Sequence, residues 1–413
     1  MHTLNRRTFV RFGLGGLAAA LTRPSSALAT SPAVANAKAK ACIVLFMHGG
    51  ASQLDTWDPK PGRDTGGEFR AIRSALPGVR VSEHLPLLAK RMRKIAVLRS
   101  LTSREGNHDR ARYLMHSGYP PQGGVVHPSL GSLVASSRDP GALPGYVSVA
   151  GPGQGGGILG AQYAPFVVAD PTGPVKNLKL ARGVDDERLR SRVEMWRRLE
   201  GRYAARVGGP AVEGHRAIVE QALAMMGSPE RSAFDLDRES DAIRRPYGPT
   251  PFGQGCLLAR RLVESGVPFV EVSLKGWDTH ENNFERVKKL SAELDAGMSA
   301  LLDDLDGRGL LESTLVLCVG DFGRTPKINA RGGRDHFPKI AAAALAGGGI
   351  RGGQVIGETD ADGVEIVERP IAVPDLFRTL AGLVGLDPEE TRMSAAGRPL
   401  TTVDGGSIID GLI

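Results

Sequence analysis

Residues 42–47 read Cys-Ile-Val-Leu-Phe-Met and are followed at once by His48-Gly49-Gly50. Six consecutive apolar residues ended by glycine are typical of a strand buried on both faces, as in a parallel sheet. Similar apolar runs predict further strands at residues 95–98, 146–149, 268–274, 314–319 and 340–346. Residues 151–180 are rich in glycine and proline, and we expect them to be irregular.

Helical segments alternate with these strands. Helices are predicted at residues 109–117, 128–137, 186–226, 252–265, 282–308 and 373–385. The 282–308 segment has apolar residues at steps of three and four, which gives one buried face. Alternating strands and helices predict a single α/β domain over residues 41–413, with a mostly parallel central sheet and helices on both faces. In such a sheet, ligands bind at the carboxyl ends of the strands.

The N-terminus has the pattern of an export signal. Asn5-Arg6-Arg7-Thr8-Phe9 precedes an apolar stretch at residues 12–21, and Ala27-Leu28-Ala29 offers a cleavage site, with Ala35-Asn36-Ala37 as a second. This order predicts a twin-arginine signal peptide at residues 1–29 and a flexible leader at residues 30–40. The alternative is a basic N-terminal helix of a cytosolic protein. The apolar stretch is too short to span a bilayer. We therefore expect the twin-arginine export machinery as a partner, a periplasmic or cell-surface location, and no membrane span after processing.

Charge and cysteine usage exclude some classes of function. The formal net charge is +7, but residues 1–29 contain four arginines and no acid, so residues 30–413 carry only +3. No cluster of basic residues with interleaved aromatics is present, and we expect no nucleic-acid partner. The three cysteines are odd in number and lie in apolar runs, so we expect buried free thiols rather than disulfides.

Residues that can bind metal follow several predicted strands. Zn²⁺ accepts imidazole and carboxylate together, whereas Ca²⁺ and Mg²⁺ prefer oxygen, so the sequence predicts a divalent ion without selecting among the three. Taken singly, each residue has an ordinary structural role open to it, such as a helix N-cap, an Asx turn, a buried structural histidine or an ion pair of Asp335 with Arg334 or Arg331. The predicted metal ligands are His48, Asp55, Asp278, His280, Asp321, Asp335 and His336.

Several motifs carry a family resemblance. They are residues 45–60, residues 252–264, Gly276-Trp-Asp-Thr-His280, Gly320-Asp-Phe-Gly-Arg-Thr-Pro326 and Gly333-Arg-Asp-His336. Together they resemble the bacterial family catalogued as domain of unknown function 1501, within the alkaline phosphatase-like superfamily. The resemblance extends over nearly the whole chain after residue 40, and it implies an alkaline phosphatase/sulfatase-like fold.

The wider superfamily is also visible, with departures. Residues 108–120 are similar to the sulfatase segment that carries the nucleophile, but its place falls at or near His108, which cannot become formylglycine. The superfamily has an aspartate directly after its first strand, where this chain has His48, and an Asp-His or Asp-Asn pair where this chain has Asp321-Phe322. Its final metal-binding histidine corresponds to His336. The resemblance therefore implies a similar scaffold with a changed ligand set.

Two functions follow as hypotheses. The first is a metal-dependent hydrolase of phosphate or sulfate esters, acting on an anionic small molecule or polysaccharide. In it, Ser52 or a metal-bound water is the nucleophile, His108 completes the site, and Arg324 or Arg334 steadies the anionic ester. The alternative is a non-catalytic protein that binds an anionic polysaccharide or a surface partner, which the residues His108 and Phe322 favour. A purely structural protein is a third hypothesis.

Overall fold

The computed structural model describes residues 37–413, except residues 140, 177, 179, 181 and 395. The predicted signal peptide and residues 30–36 of the predicted leader lie outside the described residues. Ala39 is already buried, and its N–H donates a hydrogen bond of 3.0 Å to the carbonyl of Leu383. Among the described residues, none of the helices combines the length and the apolar character that crossing a bilayer requires.

A nine-stranded sheet forms the centre of the molecule. The strands are β1 (Ala41–His48), β2 (Ile95–Thr102), β3 (Tyr146–Val149), β4 (Phe166–Val168), β5 (Phe269–Lys275), β6 (Thr314–Gly320), β7 (Ala341–Ala346), β8 (Gln354–Ile356) and β9 (Ile371–Ala372). Their spatial order is β8-β2-β7-β6-β1-β5-β3-β4, and β9 pairs with β2 outside this path. Strand β7 is antiparallel to both of its neighbours, and the other pairs are parallel.

Helices cover both faces of the sheet. Alternate residues of β1 point to opposite faces, so Ile43, Leu45 and Met47 join the core that includes α1, α7 and α8. Cys42, Val44 and Phe46 join the second core, which includes α2, α3 and α9. The helices are α1 (Pro86–Arg91), α2 (His108–Ser117), α3 (Leu130–Ser136), α4 (Asp186–Val207), α5 (Pro210–Gly227), α6 (Asp241–Tyr247), α7 (Pro251–Glu264), α8 (Asn283–Gly307) and α9 (Val373–Leu383).

The predicted fold class is confirmed: the protein is α/β, with a mostly parallel sheet and helices on both faces. One predicted helix, residues 186–226, is two, because Gly208 and Gly209 adopt positive φ and Pro210 begins a new helix. The segment expected to be irregular contains the three-residue edge strand β4, which is too short to show a periodicity in the sequence. All three cysteines are free and buried, as predicted.

Candidate metal centre

The candidate site lies at the carboxyl ends of three adjacent parallel strands. Strands β6, β1 and β5 are neighbours, so the loops that follow them meet at one edge of the sheet. Gly49 is essential to this meeting. Its φ is +108°, and a Cβ there would lie 2.3 Å from the backbone nitrogen of Asp278. Only glycine lets the loop after β1 pass so close to the loop after β5.

Three histidines converge on one carboxylate oxygen. Oδ1 of Asp278 lies 3.3 Å from Nε2 of His108, 3.1 Å from Nε2 of His280 and 3.4 Å from Nε2 of His336. The Nε2 atoms of His280 and His336 are 2.9 Å apart. The ligand atoms of His108, Asp278 and His336 all lie within 4.8 Å of one another. We call His108, Asp278, His280 and His336 the rim cluster.

Each histidine of the rim cluster is oriented through its other ring nitrogen. Nδ1 of His108 lies 2.7 Å from Oδ2 of Asp321, and Nδ1 of His280 lies 2.8 Å from Oδ1 of Asp335. Nδ1 of His336 lies 2.7 Å from the carbonyl oxygen of Gly106. Carbonyl and carboxylate oxygens only accept hydrogen bonds, so each Nδ1 carries the hydrogen. In a neutral imidazole this leaves a lone pair on every Nε2.

This arrangement fits a divalent metal ion. Three imidazole lone pairs and a carboxylate oxygen facing one another repel unless a proton or a metal cation lies among them, and a metal cation satisfies all four at once. Nε2 of His108 is buried and makes no hydrogen bond, although it is 3.3 Å from Asp278. Imidazoles that donate Nδ1–H to a carboxylate or carbonyl while presenting Nε2 are the usual ligands of protein zinc sites. The rim cluster therefore has the donor set and the outer hydrogen bonds of a metal centre.

The electrostatics of the rim cluster agree with this donor set. Burial opposes the charge on Asp278, but the hydrogen bond and charge of Arg324 outweigh it and lower the carboxyl pKa to about 2. Burial lowers the pKa of His336, which favours the neutral ring with a free Nε2. The hydrogen bond to Asp321 raises the pKa of His108, and so makes its Nε2 a more basic ligand. Asp321 and Asp335 thus orient histidines, rather than facing Asp278 themselves.

Arg324 anchors the rim cluster. Its guanidinium is fully buried, and its Nη2 donates to Oδ1 of Asp278 at 2.6 Å. Its other bonds go to carbonyl oxygens: Nε to Gly50 and Nη1 to Arg334, each at 3.0 Å, and Nη2 also to Gly49. Every nitrogen of the guanidinium is used within the protein. Arg324 therefore positions Asp278 and the surrounding loops, in place of the predicted contact with an anionic ester.

Two predicted site residues are buried in another network. Both carboxylate oxygens of Asp55 accept from Arg334, at 2.8 and 3.1 Å, and Oδ2 also accepts from Asn283 at 2.9 Å. Asp55 and Arg334 are both 0% exposed. The hydroxyl of Ser52 accepts from the backbone N–H of Asp55 at 3.3 Å, and Ser52 is 1% exposed. The structure thus replaces the predicted roles of Asp55 as ligand and Ser52 as nucleophile with a buried link between loops.

His48 also faces away from the rim cluster. It has the same parity along β1 as Val44 and Phe46, so its side chain points into the second core. There its Nε2 lies 3.0 Å from Oγ of Ser273, and its ring packs edge-on against Phe46. Burial lowers the pKa of His48 to about 4, so the ring is neutral near pH 7. The next residue still reaches the site, because the Gly49 N–H donates to Oδ2 of Asp321 at 3.1 Å.

A second histidine–carboxylate pair was missed from the sequence. Nε2 of His116 lies 3.0 Å from Oε2 of Glu271, and the hydroxyl of Tyr146 donates to the same oxygen at 3.1 Å. Glu271 is 1% exposed in the middle of β5. A glutamate inside an otherwise apolar strand was the signal that could have revealed it, because a charge is rarely buried without a partner. The carbonyl of Gly106, which orients His336, has no signal in the sequence.

The chain belongs to a known protein family. The profile of the family described as "Protein of unknown function (DUF1501)" matches residues 39–413, which is nearly all of the chain. The family resemblance predicted from the sequence motifs is therefore confirmed. No curated protein matches the chain.

Several solved structures are similar to the chain at low TM-scores. PsFucS1 sulfatase from Pseudoalteromonas sp. matches with 14% identity over 85% of this chain and 68% of its own, at a TM-score of 0.41. The lipoteichoic acid synthase LtaP from Listeria monocytogenes matches with 10% identity over 86% and 74%, at 0.40. The C-terminal periplasmic domain of EcEptC from Escherichia coli, in complex with Zn, matches with 10% identity over 84% and 83%, at 0.37. These scores are too low to support an argument about function. The metal site proposed below is based on the rim cluster, and the class of ester follows from the family resemblance of the sequence motifs.

Proposed function

We propose that this protein is a metal-dependent hydrolase of phosphate or sulfate esters. The observation that carries the proposal is the convergence of three Nε2 atoms on Oδ1 of Asp278, with every Nδ1 already hydrogen-bonded. His108, His280, His336 and Asp278 would hold one divalent ion. Three imidazoles and one carboxylate suit Zn²⁺ better than Ca²⁺ or Mg²⁺, which prefer oxygen ligands. When bound, such an ion supplies a Lewis acid for an ester oxygen and acidifies water.

The side chains of the rim cluster assign the remaining roles. Of the two nucleophiles predicted from the sequence, Ser52 is buried away from the rim cluster, so water is the nucleophile in this proposal. Asp321 and Asp335 hold the Nδ1 protons of His108 and His280 and fix the direction of each Nε2. Arg324 fixes the carboxylate of Asp278. The chain thus contributes an oriented ligand set, and the substrate is an anionic ester of a small molecule or a polysaccharide.

Hydrolysis assays test this proposal. The purified protein is loaded with zinc and assayed with an aryl phosphate and an aryl sulfate, beside His336→Ala and the control His215→Ala. His215 is an exposed histidine on α5, outside the rim cluster. We expect turnover of at least one ester, a loss of roughly 100-fold or more in His336→Ala, and no change in His215→Ala. Absence of turnover with zinc, calcium and magnesium alike would rule out the hydrolase.

One observation favours a second candidate, a non-catalytic binding protein. The nitrogens of Arg324 all donate within the protein, and Ser52 is buried, so two of the residues expected to act on an ester are engaged elsewhere. In this case the protein binds one metal ion, hydrolyses neither ester, and is retained on a column that carries a sulfated polysaccharide. His336→Ala loses that retention, whereas His215→Ala keeps it.

We also propose that the chain is exported through the twin-arginine pathway. Support comes from the order of the arginine pair, the apolar stretch and the cleavage site in residues 1–29. Fusion of residues 1–40 to a reporter that is active only after twin-arginine export tests this. Replacement of Arg6 and Arg7 by lysine should abolish export, and export of that variant at the original level would contradict the proposal.

A further inference from the structure

Helix α4 presents an exposed face that no other part of the described chain covers. None of the 22 residues of α4 is buried. Its partly covered side includes Leu189, Val193 and Trp196 and faces α5, to which it is joined by a bidentate pair of Arg197 with Glu220 at 2.9 and 2.8 Å. The rest of the helix surface is open to solvent.

The open side combines arginines with large apolar side chains. Met195, Leu199 and Tyr203 recur every four residues and are 64%, 60% and 50% exposed. Four arginines lie on the same side, because a helix of 3.6 residues per turn places each of them within about 60° of the direction of Leu199. We call this the arginine–apolar face; it consists of Arg188, Arg192, Met195, Leu199, Arg202, Tyr203 and Arg206, all exposed.

The arginine–apolar face contains no acid. Helix α4 has seven arginines and four acids, and the acids lie on other sides of the helix. Glu200 faces α5, where it lies 3.4 Å from His215, and Glu187 and Glu194 lie about 80° or more around the helix from Met195 and Leu199. No acidic side chain of the arginine–apolar face neutralises its positive charge. The face is therefore electrostatically complementary to an anionic surface.

We propose that α4 docks the protein onto an anionic lipid surface. Guanidinium groups bind phosphate oxygens bidentately, while Met195, Leu199 and Tyr203 enter the boundary between headgroups and acyl chains. A soluble polyanion would satisfy the arginines and leave these apolar side chains in water. The lipid surface satisfies both, because the stems of long arginine side chains lie along apolar material while their charged ends reach the headgroups. This inference is independent of the proposed hydrolase.

Vesicle flotation of the full chain tests the proposal. The probe is a vesicle of phosphatidylglycerol and phosphatidylcholine, compared with phosphatidylcholine alone. We expect binding only to the anionic vesicles, and weaker binding at high salt because surface charges are screened. Arg188→Glu with Arg192→Glu should lower the partition coefficient by about tenfold or more, and Leu199→Ser by a few-fold. Residues 1–36 are the same in every variant, so the differences report on α4.

The matched control is Arg190→Glu with Arg216→Glu, which makes the same change in net charge at exposed positions of α4 and α5 outside the face. We expect this control to retain most of the binding. Equal losses in both double variants would show attraction by net charge only and would overturn the proposal. Light scattering tests whether the face instead binds a second copy of the chain. A dimer that Leu199→Ser converts to a monomer would assign the face to self-association and overturn docking to lipid. Thermal unfolding should be unchanged in all variants, because every substituted side chain is exposed.

Discussion

Two histidine–carboxylate clusters are built around strand β5, one beyond its carboxyl end and one in its middle, and they differ in which imidazole nitrogens are left unpaired. In the rim cluster, every Nδ1 has an acceptor and every Nε2 faces the same carboxylate oxygen. In the buried pair, His116 lies 2.7 Å from the Arg112 carbonyl through Nδ1 and 3.0 Å from Glu271 through Nε2. Both of its nitrogens donate, so His116 is a cation matched to one anion. The same residue types thus form a set of free metal-binding nitrogens at the rim and a fully hydrogen-bonded ion pair in the core.

The pKa values describe the buried pair as two charges that stabilise each other. Burial disfavours the charge on His116, but the charge and hydrogen bond of Glu271 outweigh it and raise the His116 pKa. Burial likewise disfavours the charge on Glu271, and His116 outweighs it and lowers the Glu271 pKa. In the rim cluster the shifts go in both directions: burial lowers the pKa of His336, whereas the hydrogen bond to Asp321 raises the pKa of His108. We therefore expect the buried pair to contribute to folding and the rim cluster to contribute to ligand binding.

The largest effect is expected from breaking the buried pair. Glu271→Gln leaves the His116 imidazolium buried without its counter-ion, which costs about 3–5 kcal/mol in the free energy of unfolding. Urea unfolding measures this cost. The double variant His116→Phe with Glu271→Leu removes both charges and should recover most of the stability. A cost below about 1 kcal/mol for Glu271→Gln would show that the pair is not a buried ion pair.

A smaller effect is expected from loosening the rim histidines. Asp321→Asn and Asp335→Asn each remove the negative charge that orients one imidazole, and each should weaken zinc binding by about 10–100-fold. Competition with a chromophoric chelator measures the affinity. The control is Asp303→Asn, which removes a carboxylate that pairs with Arg91 elsewhere. Unchanged zinc affinity in both rim variants would contradict the orienting role.

The smallest effect is expected from pH, acting on the buried pair. The Glu271 pKa is lowered from 4.5, so its contribution is present above pH 4.5 and lost as the pH falls through the lowered value. The His116 pKa is raised from 6.5, so its contribution is present below pH 6.5 and lost as the pH rises through the raised value. The stability advantage of the wild type over the His116→Phe, Glu271→Leu double variant should therefore decrease from pH 5.5 to pH 9, measured by urea unfolding. An advantage that grows with pH would contradict this sign.

The fold was more predictable than the site. The apolar run at residues 42–47 and the glycines after it determine β1 and the turn into the site, because a strand buried on both faces needs a continuous apolar sequence. The antiparallel direction of β7 was not predictable, since residues 341–346 are apolar whichever way the strand runs.

Within the site, the sequence identified residues but not their partners. His48 is the last residue of β1 and Asp55 lies in the loop that follows it, yet His48 points into the second core and Asp55 pairs with Arg334. For His48, the alternation along β1 was enough to predict this, because Phe46 shares its parity. For Asp55, the decisive contact is with a residue 279 positions away, which no local pattern contains.

Anomalous diffraction from crystals soaked in zinc tests the central claim most directly. We predict one anomalous peak per chain, bounded by Nε2 of His108, His280 and His336 and by a carboxylate oxygen of Asp278, and we predict its loss in His336→Ala. A peak at any other place, or no peak after soaking at saturating zinc concentration, would contradict the assignment of the rim cluster as a metal centre.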